Sequence, residues 1–391
     1  MSLFIKYTNS PPKKVQHKVI DILSRAFGDN INSSSTKNAF FTGFQSSYPN
    51  FVLLYKGDVL VGLAIIAIRH INLFNNLIKA ITVGPIAIDP LFQKKGYSRY
   101  LMRGIDEIAH KLNAELIYLS GIRNFYQQYG YYTCLSKSKL IINSEDIESY
   151  IEVSYVPFSD YYLEDIKKIY KHSANQNTCT SSRSDEDWLW LTKYAKDSLH
   201  FFSPKIIVYN GNVIGYFCTD PHDQGRIREA IYKIDYKLIP LYLSGIKKYA
   251  LEKKLESVEI MTPFESPLYK YMKKESTSTF VQFIKQRGGQ ILKIVDLNSF
   301  LNKISGFFKS DYCTVSLQIS SEFICFNFNE FGTTKSSQSL LCAKNHFPGL
   351  ITGYYNEEVL DGFDNLTNAM KIAYSNIFLK KIPFIYQGDN Y

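Results

Sequence analysis

Residues Gln93-Lys94-Lys95-Gly96-Tyr97-Ser98 place two lysines, a glycine and a small hydroxyl directly before a helical pattern. Leu101, Ile105, Ile108, Ala109 and Leu112 recur at the three-to-four spacing of one helix face. A turn that opens straight into a helix presents backbone N–H groups without intrahelical acceptors, together with the positive end of the helix dipole. That combination suits a phosphate. Lys94, Lys95, Gly96, Tyr97, Ser98 and Arg99 are therefore expected to offer backbone N–H groups to a pyrophosphate, and the side chains of Lys94 and Lys95 to add charge. Other reactive side chains lack such a setting. His70 follows a strand pattern alone, and His200, His222 and His346 have no evident partners. Trp188 and Trp190 read as packing residues. Cys134 falls inside an expected strand, with no base near it in sequence.

Around the turn the order is strand, turn, helix, strand. The apolar run Val83–Ile88 stops at Asp89-Pro90, and a short strand, Leu116–Leu119, follows the helix. Upstream, Lys13–Phe27 reads as an amphipathic helix behind Pro11-Pro12. Phe51–Tyr55 and Val59–Ile68 form a hairpin around Lys56-Gly57-Asp58. Tyr131–Ile142 reads as one closing strand, and the polar Asn143–Tyr150 marks a boundary.

A second section repeats the first. Tyr-Asn-Gly-Asn-Val at 209–213 echoes Tyr-Lys-Gly-Asp-Val at 55–59, and Gly62 or Gly215 follows each. Ile231–Tyr236 then reads as a central strand, Leu241–Lys253 as a helix and Val258–Met261 as a strand. Leu268–Met272 stands where Phe125–Tyr129 stood. Ahead of these, Tyr161–Ser173 and a helix begun by Asp185-Glu186-Asp187 are expected. This copy lacks the lysine-glycine turn, and Pro240 removes a donor. From Ile291 a third, smaller section is expected. It holds a helix capped by Asp296, strands at Cys313–Ile319 and Phe323–Phe328, and helices at Glu357–Phe363 and Leu366–Phe378. The last residues, Ile382–Tyr391, are aromatic to the end, which suggests a docked tail.

The residues Gln93–Ser98 resemble the Q/R-x-x-G-x-G/A motif of the GNAT (Gcn5-related) acyltransferases. Ile86-Ala87-Ile88-Asp89-Pro90 is similar to that family's lead-in strand, and Asn124–Tyr131 to its F-Y-x-x-x-G-F box. Ser98 departs from the usual Gly or Ala, but its side chain is small. The resemblance implies an acetyl-CoA co-substrate whose pantetheine amides lie along Ile86, Ala87 and Ile88 like an added strand. One N–H there would polarise the thioester carbonyl. It implies that Tyr126, a phenol with an ordinary pKa of about 10, protonates the leaving thiolate.

The layout further resembles the Eis-like acetyltransferases. The implied fold is α/β (α+β): two tandem GNAT domains with mixed central sheets and a sterol-carrier-like domain. The matching division is a catalytic domain at 1–145, a degenerate copy at 151–285 and the third domain at 289–391. By the same resemblance the carboxylate of Tyr391 is the general base, the acceptor is a small-molecule or lysyl amine, and the assembly is a homo-oligomeric hexamer. Alternatives are transfer of a longer acyl chain, or a binding protein built on the same domains.

Composition bounds these readings. The chain has 391 residues, 45% hydrophobic and 21% charged, which fits two or three globular domains. Its net charge of +9 comes from scattered lysine pairs, so no nucleic-acid face is expected. The six cysteines form no C-x-x-C pair and have no histidine at metal spacing, so neither a metal nor a disulfide framework is expected. Val59–Ile68 is about half of the roughly 20 residues a bilayer requires. With no signal-peptide core at the N-terminus, a cytoplasmic protein without a membrane segment is expected.

Overall fold

A computed structural model describes residues 2–28, 50–73, 76–135, 137–176, 180–194, 202–263, 266–275, 278–283, 289–304, 313–319, 323–330 and 338–343. The first sheet begins with β1 (Leu3–Thr8), and α1 (Lys13–Phe27) follows. Then come β2 (Asn50–Lys56), β3 (Val59–Leu73) and β4 (Asn76–Ile88). The helix after the glycine turn, α2, spans Tyr97–Lys111 and leads to β5 (Leu116–Gly121). Helix α1 buries Val19, Ile20, Ile22 and Leu23 against one sheet face, with Phe51, Leu63 and Ala87. Helix α2 buries Leu101, Met102, Ile105, Ile108 and Ala109 on the other, with Val52, Ile81 and Ile117. Both helices follow the apolar periodicity of their sequences.

The segment read as one strand from Tyr131 to Ile142 is two: β6 (Tyr132–Leu135) and β7 (Lys137–Asn143). The second half then contains β8 (Val153–Pro157), α3 (Leu163–Gln176), β9 (Thr180–Ser182) and the short α4 (Asp185–Leu189). Strands β10 (Lys205–Tyr209), β11 (Asn212–Thr219) and β12 (Arg226–Tyr232) follow. Helix α5 (Ile239–Glu252), β13 (Ser257–Met261), α6 (Pro267–Glu275) and β14 (Ser278–Phe283) complete it. Strand β15 (Gly289–Ile294) and α7 (Leu297–Ile304) come next. A separate antiparallel sheet joins β16 (Cys313–Ile319), β17 (Phe323–Glu330) and β18 (Gln338–Ala343). Glu357–Phe363, Leu366–Phe378 and the tail lie outside the described residues.

The first sheet runs β1-β2-β3-β4-β5-β15-β6 and the second β8-β10-β11-β12-β13-β7-β14. Each is antiparallel except at one pair, β4–β5 or β12–β13, and each of those pairs is joined by a helix. The internal repeat read from the two hairpins is thus a repeat of topology. Its closing strands are exchanged: β7, from before the second half, pairs with β13 and β14. Strand β15, from after it, pairs with β5 and β6. Ile291–Val295, read as the start of a third section, therefore belongs largely to the first sheet. A single apolar stretch at the end of one sheet looks the same in sequence as an apolar stretch that crosses to the next. A further link pairs β9 with β3, His70 opposite Ser182.

The central strand of the second half starts at Arg226 and ends at Tyr232, earlier than the expected Ile231–Tyr236. Charged residues mask its first half. Glu229 is 2% exposed and is held by both Arg183 guanidinium nitrogens, at 2.9 and 2.6 Å, and by the Tyr216 hydroxyl at 2.6 Å. That partner is far away in sequence, so periodicity alone does not show a buried strand here.

A fragment ending at residue 145 keeps β5 but loses its neighbour β15. We expect it to lack a cooperative thermal transition, measured by circular dichroism, whereas the full chain shows one.

Candidate active site

Strand β4 pairs with β5 through only three positions: Ala80 with Leu116, Ile81 with Ile117, and Thr82 with Tyr118. Beyond them β4 stays on β3 as far as Ile88 opposite Gly62, while β5 stays on β15. The two strands part and leave a cleft of about 400 Å³. A Cβ at Gly62 would lie 2.5 Å from Ile88 Cδ1 and 3.0 Å from Ala87 O, so a larger residue here would have to move the Ile88 side chain and crowd the β4 backbone. Asp89 N–H donates to Val61 O at 2.9 Å. By the alternation of an antiparallel ladder, the backbone groups of Ala87 then face β3, and those of Ile86 and Ile88 face the open side. Ile86 and Ile88 line the cleft, whereas the Ala87 side chain is buried against α1.

The glycine turn closes one end. Lys94, Gly96, Tyr97 and Ser98 line it. Gly96 has a φ of +76° and Lys94 one of +59°. A Cβ at Gly96 would meet nothing within 4 Å, so glycine serves the left-handed backbone and leaves approach to the turn open. No side chain caps α2. Arg99 uses its N–H on Gly96 O at 3.1 Å and is exposed. Lys95 turns back to Leu91 O at 3.2 Å, over the Phe92 ring. Neither Lys95 nor Arg99 lines the cleft. Asp89 anchors the approach: it is 4% exposed, accepts from Leu91 N–H at 3.2 Å and pairs with Arg25 at 2.7 Å.

Tyr126 lines the opposite wall and is 8% exposed. Its ring meets Phe125 and Tyr131 edge-on, with centroids 4.9 and 5.9 Å away. Burial, and secondarily the neighbouring Tyr129, push its pKa up to about 12. Tyr391 lies outside the described residues.

Phe92, Gln93, Met102, Ile122 and Phe125 also line the cleft and were not among the expected site residues. Gln93 Nε2 donates to Ile88 O at 3.1 Å and so ties the turn to the strand edge. Phe125 and Gln93 sit inside the motifs already singled out, and Met102 lies one helical turn after Ser98. Phe92 and Ile122 carry no sequence signal. Of the other reactive residues, His200 and His346 lie outside the described residues. Trp188 packs on Tyr170 and Phe202, Cys134 is buried, and His222 is an exposed turn residue.

The equivalent place in the second half is filled. Tyr232 opposite Gly215 stands where Ile88 stands opposite Gly62. Its hydroxyl accepts from Leu268 N–H at 3.0 Å, bridging the start of α6. Asp235 accepts from Lys237 N–H at 3.0 Å ahead of α5, and Pro240 lies in the first turn.

Among the described residues no group of three His, Cys, Asp or Glu side chains fits a metal ion, and no helix is long and apolar enough to cross a membrane.

A strand edge opened beside a parallel neighbour, an uncapped helix start and a buried phenol thus meet in one cleft. Residues 11–134 match the family model for the acetyltransferase (GNAT) domain. The chain carries a GNAT acetyltransferase domain and is an enzyme of the N-acetyltransferase type. Its fold is similar to that of several solved structures. One is a probable N-acyltransferase from Enterococcus faecalis V583, 15% identical over 100% of both chains, with a TM-score of 0.71. Another is a GCN5-related N-acetyltransferase from Anabaena variabilis ATCC 29413, 14% identical over 98% of this chain and 99% of that one, TM-score 0.64. A third is Eis1 from Mycobacterium abscessus, 12% identical over 99% of this chain and 100% of that one, TM-score 0.65. No curated protein matches the sequence.

With its pKa at about 12, Tyr126 keeps its proton throughout the neutral range and loses it only as pH rises through that value. An unfolded tyrosine ionises near 10, so this burial favours the fold below about pH 10 and ceases to as the folded phenol ionises. An ultraviolet difference titration, wild type minus Tyr126→Phe, is expected to show no phenolate from this residue below about pH 10.5.

Proposed function

We propose that the protein is an acetyl-CoA-dependent N-acetyltransferase that passes acetyl directly to a primary amine. The observation that carries this is the single cleft in which the open edge at Ile86 and Ile88, the Gly96 turn and the Tyr126 phenol converge. Pantetheine amides extend the β4 edge, and the pyrophosphate meets the N–H groups at the start of α2. Lys94 adds charge at the turn. The amine nitrogen bonds to the thioester carbonyl carbon, whose oxygen takes a hydrogen bond from the β4 edge. The carbon–sulfur bond breaks, its electron pair leaves on sulfur, and Tyr126 gives that sulfur a proton. The amine's surplus proton goes to the carboxylate of Tyr391, and solvent restores Tyr126.

The finer reading follows the Eis-like resemblance. The two halves are tandem GNAT domains, the first active and the second degenerate. The third section is a sterol-carrier-like domain that brings Tyr391 to the first. The acceptor is a polyamine, an aminoglycoside-like amine or a lysyl side chain, and the assembly is a hexamer. A free carboxyl at the terminus titrates near 3.5, so it acts through water or with its pKa raised by burial.

Isothermal titration with acetyl-CoA is expected to give one site per chain. An absence of binding would remove this reading. Tyr126→Phe is expected to lower kcat by about 10²–10⁴-fold, with acetyl-CoA affinity nearly unchanged. A short extension after Tyr391 is expected to abolish turnover while binding persists. A fully active extended chain takes the carboxylate out of the reaction.

A further inference from the structure

Tyr126 rests on a buried group that reaches beyond the first half. Tyr131 N–H donates to Tyr126 O at 3.3 Å, and Tyr131 itself is fully buried. Lys293, on the exchanged strand β15, holds its ammonium 5.7 Å from the Tyr131 ring centroid. The same ammonium is 2.7 Å from Asp106 Oδ2 on α2. Its stem lies under the box glycine: a Cβ at Gly130 would stand 3.5 Å from Lys293 Cε. One lysine therefore lies beside the glycine and a tyrosine of the segment that carries Tyr126, and pairs with a carboxylate of the helix that opens at the Gly96 turn.

The surroundings make the cation hard to replace. The Lys293 and Asp106 side chains are only 22% and 26% exposed, so water offers limited compensation. Among the described residues the Tyr131 hydroxyl and Asp106 Oδ1 are buried without a hydrogen-bond partner, which leaves the Lys293–Asp106 pair as a polar anchor on this side of the box. A ring face within about 6 Å of an ammonium is attracted to it. Gly130 has a φ of +83°, which lets the backbone turn over the lysine stem.

We propose that Lys293 is a positioning residue for the general acid: it clamps residues 125–131 to α2 and so sets where the Tyr126 phenol lies in the cleft. The proposal rests on the acyl-transfer reading for its kinetic consequence only. It also assigns to the strand exchange a part in the active site, because the clamp comes from residues beyond the second half.

The test uses the full-length chain with Lys293→Met, which keeps an unbranched stem and removes the charge, and with Lys293→Arg. Acetyl-CoA and spermidine serve as probe substrates, and 3-fluorotyrosine placed at position 126 reports the phenol by fluorine NMR. Displacing a reacting group by about 1 Å costs up to roughly 10²-fold. Lys293→Met is expected to lower kcat at least about tenfold, to leave the acetyl-CoA Kd within about twofold and to shift or broaden the fluorine resonance. Lys293→Arg is expected to restore both, and Asp106→Asn to reproduce the loss. The double variant is expected to be no worse than either single one, as for residues acting together. An unchanged resonance together with unchanged kcat overturns the proposal, and so does an equal loss in Kd and kcat. If Lys293→Met fails to fold, Lys293→Gln takes its place under the same criteria. If the wild type turns over no spermidine, the acceptor assignment is at fault, and the fluorine signal still decides the clamp.

Discussion

Everything at this site depends on two parallel strands that stop pairing after three residues. Strand β4 runs on to Ile88 with β3 on one side and, among the described residues, no strand on the other. An open edge inside a sheet is costly, because buried backbone groups demand partners. Here the edge is not left to other strands, since α2, its turn and the Tyr126 segment stand around it. What fits such an edge is an extended chain that carries amides. The walls add to that specification: Ile86, Ile88 and Met102 are aliphatic, and the donors gather at the turn. Apolar contact along the length and charge at one end describe a ligand with an acyl-amide arm and an anionic head.

The second half has the same divergence and a different outcome. Strands β12 and β13 pair only through Arg226 with Glu259 and Ile227 with Ile260. The Tyr232 hydroxyl then accepts from Leu268 N–H, and Asp235 from Lys237 N–H ahead of α5. The two halves share the sheet and the helix, and they differ in the side chains beside the diverging strands. The exchanged strands make this division of labour stable. Neither sheet is complete without a strand from beyond its own sequence span, so the intact half cannot be separated from the filled one without leaving a long edge bare.

The parts legible in the sequence were those fixed by local rules. Gly96 announced a turn, and α2 and α1 announced themselves by apolar spacing. The echo between Tyr55–Val59 and Tyr209–Val213 announced the repeat. What stayed hidden depends on partners distant in the chain. The split of Tyr131–Ile142 into two strands of two sheets leaves no mark, because both pieces bury apolar residues. Buried Glu229 reads as surface until Arg183 is placed beside it. At the site, residue types pointed to the turn and the phenol, but not to which of Ile86, Ala87 and Ile88 face the cleft. That follows from ladder phase, which the bulge between Ala64 and Ile66 resets. Lys293 could not be read at all, since its role depends on a strand crossing from one half to the other.

Burial of Tyr126 raises a problem that the same burial resolves. An ordinary thiol ionises near 8.5, so proton transfer to its thiolate from a phenol at about 12 is uphill by roughly 5 kcal/mol. A phenol in open water would be the easier donor. In the proposed reaction, however, the thiolate does not leave into open water. Sulfur departs inside the cleft whose walls displace the phenol's own solvent. Desolvation penalises any anion there, and a thiolate in such surroundings is more basic than one in water. The protein supplies its own example, for burial pushes the Cys218 thiol far above its usual value. The relevant mismatch is therefore between two anions in one desolvated space, and it is smaller than the solution values imply. A phenol kept neutral at every ordinary pH is then always charged with its proton when the carbon–sulfur bond breaks, and no competing base has to be kept from it.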